Sequence, residues 1–177
     1  MSLHDLTLDA ARDEFRKTKA SAEKALVQLR DEDFFVRLND QQCSIAAYVR
    51  HMAGNMRSRW TDFLTTDGEK PDRDREGEFA ETAVPRDEIM QTWERGWAAV
   101  FAALDSLNSG DLERTVYIRK EPHSVVLAIF RQVAHYAWHV GQIVLIAKHV
   151  RIARGEPWNY MTVPPGGSQA FNRAKGL

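Results

Sequence analysis

A chain of 177 residues is long enough for one domain with a real core, and its formal net charge of −1 supplies no global field to draw it onto nucleic acid or an anionic membrane. With 44% hydrophobic and 28% charged residues the composition is that of an ordinary soluble globular protein, and no run of 18 apolar residues is present to span a bilayer. The single cysteine, Cys43, excludes an internal disulfide and fits a reducing cytoplasm, while "MSLHDLTLDAARDEFRK" lacks the basic flank and apolar core of a signal peptide.

Four segments carry helical periodicity. In the first, Leu8, Ala11, Phe15, Thr18, Ala22, Ala25 and Leu29 follow 3–4 spacing; in the second, Ile45, Val49, Met52, Met56, Trp60 and Phe63 do the same. From about Asp67 to Val84 the chain turns to Gly, Pro, Asp and Arg. Fully extended, that link reaches ~60 Å. A 22-residue helix is only ~33 Å long, so the link can run a bundle's whole length and let the helices on either side of it lie parallel. Its mixed charges ("DRDREGE"), like those of "RDEFRKTK", read as solvated faces. The third segment runs Ile89, Trp93, Trp97, Val100, Leu104 and Leu107, with Pro85 ahead and Asp87 and Glu88 in its first turn. "TVYIR", 115–119, alternates like a strand and alone makes a short arm. The fourth segment runs Val126, Ile129, Val133, Ala137, Val140, Val144 and Ala147, with Ser124 as its N-cap.

The tail after Gly155 is too rich in Gly and Pro for a long helix, yet Trp158, Tyr160, Met161 and Phe171 imply that it packs on the bundle. The expectation is one all-α domain over residues 1–177, a four-helix bundle with a long crossover between helices two and three. Trp93 and Trp97, two of five tryptophans, share one helix face and point to a homodimer through exposed apolar residues.

"QVAHYAWHVGQI", 132–143, places His135 and His139 on one helix face, with Cβ atoms ~6 Å apart and able to share a metal ion. Two nitrogens make a weak site, so a third ligand must come from elsewhere. His4 lies near the N-terminus, His123 in a loop, and His149 ~15 Å along the axis from His139. His51, one position before Met52 and at the edge of the apolar stripe, is the candidate. Spacing alone leaves the other reading open, because a helical HxxxH is more often two hydrogen-bonded or surface histidines. Asn55 and Arg59 follow His51 at i+4 and i+8, a polar row that could line a pocket or be an ordinary polar face. Gln132 and Gln142 could orient an imidazole, though partly exposed glutamines are the plainer reading. Cys43, ~12 Å along the helix from His51, reads as an inert small residue. No general base stands inside HxxxH, whose interior is Tyr136, Ala137 and Trp138.

"YVRHMAGNMRSRWTDFLTTDGEKP", with "FRQVAHYAWHVGQIVLIAKHV" later in the chain, resembles the DinB-like superfamily, which also contains the YfiT-like proteins, and within it an uncharacterised subfamily. The likeness runs from about residue 8 to the end and includes the tail "WNYMTVPPGGSQAFN". It implies an up-down-down-up four-helix bundle, often dimeric, with a divalent metal on His51, His135 and His139. Three neutral imidazoles leave an ion its full charge and at least one open position, a catalytic rather than a closed structural design. Such a position can lower the pKa of a water or deprotonate a thiol. Characterised relatives include thiol-dependent transferases and an isomerase that use low-molecular-weight thiols such as bacillithiol or mycothiol. The resemblance therefore implies a metal-dependent thiol S-transferase in detoxification, with Asn55 and Arg59 positioning polar or anionic groups of the thiol. A metal-dependent hydrolase and a non-catalytic, stress-associated metal binder are the alternatives. Nickel and zinc lead as the ion, with iron and manganese also compatible with imidazole.

Overall fold

The computed structural model describes residues 2–177. The first helix, α1 (Leu3–Leu26), begins on a reciprocal cap: the Ser2 hydroxyl accepts from the Asp5 amide, and the Asp5 carboxylate accepts from the Ser2 amide. A 3₁₀ turn, Asp31–Phe35, follows. Next comes α2 (Ile45–Trp60), capped by the Ser44 hydroxyl on the Ala47 amide. It stops short of Phe63, because the chain leaves helical geometry after Trp60 and Asp62 sits in the left-handed region with φ 50°. A one-turn helix, α3 (Arg75–Glu78), lies within the long link, and α4 (Arg86–Ser106) starts immediately after Pro85.

The expectation of a lone arm at 115–119 is replaced by a hairpin. Strands β1 (Thr115–Ile118) and β2 (Glu121–Ser124) pair antiparallel with Thr115 opposite Ser124, which puts His123 on a strand and not in a loop. Both turn residues, Arg119 and Lys120, hold positive φ (54° and 65°), a strained choice without glycine. The Asp67 carboxylate offsets that strain by accepting from both of their amides, at 2.8 and 2.7 Å. The chain then enters α5 (Val125–Ala153) and ends in a short helix, α6 (Ser168–Lys175). Among the described residues the fold is thus mostly helical, with six α-helices and one small two-stranded sheet.

Side-chain contacts fix the directions of the long helices. The Phe15 ring lies 5.8 Å from Tyr136, and Arg151 donates to the Gln28 carbonyl, so α1 and α5 run the same way. Arg12 donates to the Leu104 carbonyl, and Arg86 to those of Leu26 and Leu29, so α4 runs against α1. Gly96 of α4 packs on Ala53 of α2, while Trp60 and Ala103 face one cavity a turn or two further on, so those two helices share a direction. The link between them makes that possible by returning along α2. It is tied to the end of α2 where Ser58 donates to the Gly68 carbonyl, and to its start where the Ser44 amide donates to Glu81.

Two expectations about polarity need correction. Trp93 and Trp97 are 0% and 1% exposed and fill the core with Phe15 and Tyr136, so they supply no dimer surface. The charged run "DRDREGE" is not a solvated face throughout, because the side chains of Arg73 and Glu78 are 4% and 9% exposed. The tail matches its expectation in part. Trp158 and Met161 pack against the core, whereas Tyr160 and Phe171 are exposed and α6 buries nothing. Among the described residues no helix is long and apolar enough to cross a membrane.

Gly96 allows the close approach of α2 and α4, since a Cβ there would stand 2.9 Å from the Ala53 Cα. Alanine improves an ordinary helix by ~1 kcal/mol, but overpacking against backbone costs ~1–3 kcal/mol. Gly96→Ala is therefore expected to lower the urea midpoint; a raised midpoint would show that the two helices separate freely.

Candidate metal centre

His51 comes from the middle of α2, and His135 and His139 come from successive turns of α5. Each offers one nitrogen, and the three lie within 4.8 Å of one another. The Nε2 atoms of His135 and His139 are 3.1 Å apart. The His51 ring stands nearly perpendicular to both, with centroids 5.7 Å from His135 and 4.9 Å from His139. Phe79 stacks on the far face of His51 at 4.4 Å, and Tyr48 closes on His139 at 5.5 Å. The structure thus brings together all three residues singled out by the sequence. It leaves the other histidines apart: His4 lies by Glu113 at the surface, His123 on β2, and His149 exposed on α5.

Hydrogen bonds at the outer nitrogens decide where the lone pairs point. His51 Nδ1 is 3.0 Å from Glu78 Oε2, and Arg73 grips the same carboxylate with two bonds of 2.8 Å. Burial opposes charge on Glu78, but the bonds from His51 and Arg73 outweigh it and hold the carboxyl below its ordinary range. An ionised carboxylate only accepts, so Nδ1 of His51 must donate, and a neutral ring then keeps its lone pair at Nε2. His139 follows the same logic, its Nδ1 donating to Gln142 Oε1 at 2.8 Å. Gln142 therefore orients an imidazole, the reading that the sequence ranked second. Burial, reinforced by His139, His51, Arg59 and Arg73, pushes His135 down to about 3. Burial also lowers His139. At neutral pH these two are uncharged, and with the His139 proton on Nδ1 the 3.1 Å contact is a hydrogen bond from His135 Nε2, whose proton would have to move to Nδ1 before all three rings could ligate. That donor chemistry fits a borderline divalent cation, and among the described residues no fourth His, Cys, Asp or Glu joins the cluster.

A cavity of about 380 Å³ opens beside His51 and His135. Asn55 and Arg59 both line it, as their spacing from His51 suggested, and both are buried. Each is also engaged elsewhere. Asn55 Oδ1 accepts from the Tyr136 hydroxyl at 3.1 Å, which in turn accepts from Trp60 Nε1 at 3.0 Å. Arg59 donates to the Gly68 carbonyl and, at 2.9 Å, to Glu69, which leaves its buried Nε without a partner. Gln132 is buried against the cavity and not partly exposed. Burial raises the Cys43 thiol, in keeping with an inert residue.

Sequence reading missed Glu78 and Arg73, which arrive from the link. Helical periodicity carries no signal there, and the mixed charges gave the wrong one. The trace they leave is Gly54, a glycine inside a helix, where it costs ~1 kcal/mol relative to alanine. A Cβ at this position would lie 2.0 Å from Glu78 Oε1, so the carboxylate occupies the place of a side chain. Gly54→Ala should push the carboxylate off His51 and Arg73. With ~3 kcal/mol lost from a buried charged contact and ~1 kcal/mol regained in helix propensity, urea denaturation should show a net loss near 2 kcal/mol. The hydrogen-bonded Nδ1 proton of His51 should vanish from the proton NMR spectrum. Stabilisation with that resonance retained would refute the seating of Glu78 on Gly54.

The family model described as "Protein of unknown function (DUF1572)" matches residues 3–167. Among curated proteins none matches the chain. The matched span takes in α2, the link and α5, with all three histidines and Glu78. The chain belongs to the DUF1572 family.

Proposed function

We propose that this protein is a divalent-metal-dependent S-transferase of the DinB-like superfamily, joining a low-molecular-weight thiol to an electrophilic small molecule in cytoplasmic detoxification. One observation carries the reading: three imidazoles converge with their ligating nitrogens together, beside an open cavity and without a fourth side-chain donor among the described residues. His51, His135 and His139 would hold the ion, nickel or zinc first, with iron or manganese compatible. When bound on neutral ligands, such an ion supplies the positive charge that favours a thiolate over a thiol.

The chain's own residues do the rest. Glu78 and Gln142 hold protons at the outer nitrogens of His51 and His139 and so fix the ring orientations. Arg59 and Asn55 line the cavity, where they can position polar or anionic groups of the thiol. In the overall reaction the S–H bond breaks and a sulfur–carbon bond forms, the electrophile's leaving group departs with its electron pair, and the thiol's proton passes to that group or to solvent. Hydrolysis is less well supported. The buried carboxylate at the triad, Glu78, is committed to His51 and Arg73 and is a poor acceptor for a water's proton.

The helix directions support an up-down-down-up four-helix bundle as one domain. We also propose a homodimer through the outer face of α5, where Leu127, Phe130, Leu145 and Ile152 are exposed. A helix apolar on both faces is ordinarily covered on both, and aromatic and aliphatic side chains enrich the cores of interfaces.

Three measurements test these proposals. His135→Ala and His139→Ala should reduce the metal content of untagged protein from about one ion per chain to near zero, with helical circular dichroism unchanged. Retention of a tightly bound ion in the double variant would remove the site. Metal-loaded protein should accelerate conjugation of bacillithiol, mycothiol, glutathione or coenzyme A below pH 7, where free thiols of pKa ~8.5 are mostly protonated. If none reacts faster than with apoprotein, the transferase reading is lost. Sedimentation should show a dimer at micromolar concentration and a monomer for Leu145→Glu; a monomeric wild-type chain would end the dimer proposal.

A further inference from the structure

The cavity beside the histidines has a second, cationic pole. Arg75 from α3, Arg119 from the hairpin turn and Arg131 from α5 reach its wall from three separate elements, and Arg59 and Arg73 lie deeper. No carboxylate lines it. The acids that pair with these five guanidiniums are three, and one of them is shared: Glu69 lies 2.9 Å from Arg59, 3.4 Å from Arg73 and 3.1 Å from Arg119. Glu78 is held by Arg73 and His51, and Glu76 reaches only Arg75, in solvent. The nearby Asp67 is occupied by the backbone amides of Glu69, Arg119 and Lys120. Among the described residues no acid pairs with Arg131. The cluster therefore holds more positive charge than its own side chains neutralise.

Two residues of the cavity wall also carry polar atoms that are sealed from solvent and lack partners. Gln132 is 3% exposed and its Oε1 accepts nothing; the Arg59 Nε donates to nothing. A buried polar atom without a partner costs ~1–3 kcal/mol, and both atoms belong to residues that line this one space. The unmet demand of the cavity is thus for anions at its rim. Trp138, 72% exposed, stands at the rim as a flat apolar wall.

Resting on the transferase reading above, we infer that the thiol co-substrate is anionic. Its carboxylate or phosphate lies on Arg119 and Arg131, with Arg75 beside them. Its sulfur end reaches the histidines. A cavity of about 380 Å³ suits a small molecule of this kind. Arginine forks match both carboxylate and phosphate, so malate and inorganic phosphate serve as separate probes of the same subsite.

The deciding experiment uses metal-free protein, so that it stands or falls apart from the metal chemistry. Malate and inorganic phosphate are titrated into it by calorimetry, with tryptophan fluorescence followed in parallel. At least one should bind saturably, and Arg131→Gln and Arg119→Gln should each weaken that binding about tenfold, the effect of losing one charge-assisted contact. Both variants should still take up the wild-type amount of metal. Failure of both anions to saturate, or equal binding by wild type and variants, overturns the subsite even if thiol conjugation is observed. Conversely, saturable anion binding with no thiol conjugation would leave the subsite intact and remove the transferase reading alone. In active, loaded protein Arg131→Gln should raise KM about tenfold for glutathione or coenzyme A and leave that for 2-mercaptoethanol unchanged. An unchanged KM for both anionic thiols overturns the assignment of the anion to the thiol.

Discussion

The carboxylate of Glu78, seated on Gly54 between Arg73 and His51, is the contact on which the site depends. A buried ion pair is seldom a net source of stability, because desolvation of both charges offsets most of their attraction. Here the pair does something an apolar pair could not. It fixes a proton on His51 Nδ1 and so directs the opposite nitrogen toward His135 and His139. It also fastens the link to α2 midway along its length, between the ties at Gly68 and Glu81. One contact therefore serves both the path of the chain and the orientation of a ring.

That arrangement is reached through the helix directions. Because α2 and α4 run the same way, the chain must travel back along the molecule between them, and the returning segment passes over the histidine face of α2. A tight turn between α2 and α4 would leave His51 Nδ1 without the carboxylate that orients it. The hairpin completes the path from the other side, since Asp67 anchors its turn and the Gly68 amide donates to the Tyr117 carbonyl at 2.8 Å. The link, the hairpin and α5 thus converge on one cavity although they are far apart in sequence.

What the sequence makes legible follows from which interactions have a period. The four long helices show through their apolar spacing, and HxxxH shows because i and i+4 share a face. His51 is legible as a third partner because it sits at the edge of its stripe. Glu78 and Arg73 are not, because their burial comes from a segment folding back on a glycine. A run of alternating charges looks the same whether it faces water or lies under a strap. The tryptophans mislead for a related reason: periodicity places Trp93 and Trp97 on a face but does not say what covers it, and here Phe15 and Tyr136 do. On α5, by contrast, the low contrast between faces was the real sign of exposed apolar surface, at Leu127, Phe130 and Leu145.

The electrostatics of the cavity join its two ends. Burial first, then the neighbouring imidazoles and the guanidiniums of Arg59 and Arg73, disfavour a proton on His135. The same positive field would disfavour a dication at those nitrogens, and Glu78, committed to Arg73, neutralises only part of it. The proposed anionic thiol would resolve the conflict, because its charge would offset the field at the rim while its sulfur would add a further anion beside the histidines. On the proposed reading, neutral imidazoles at the centre and excess arginine at the edge are two parts of one charge balance, which an anionic co-substrate would complete.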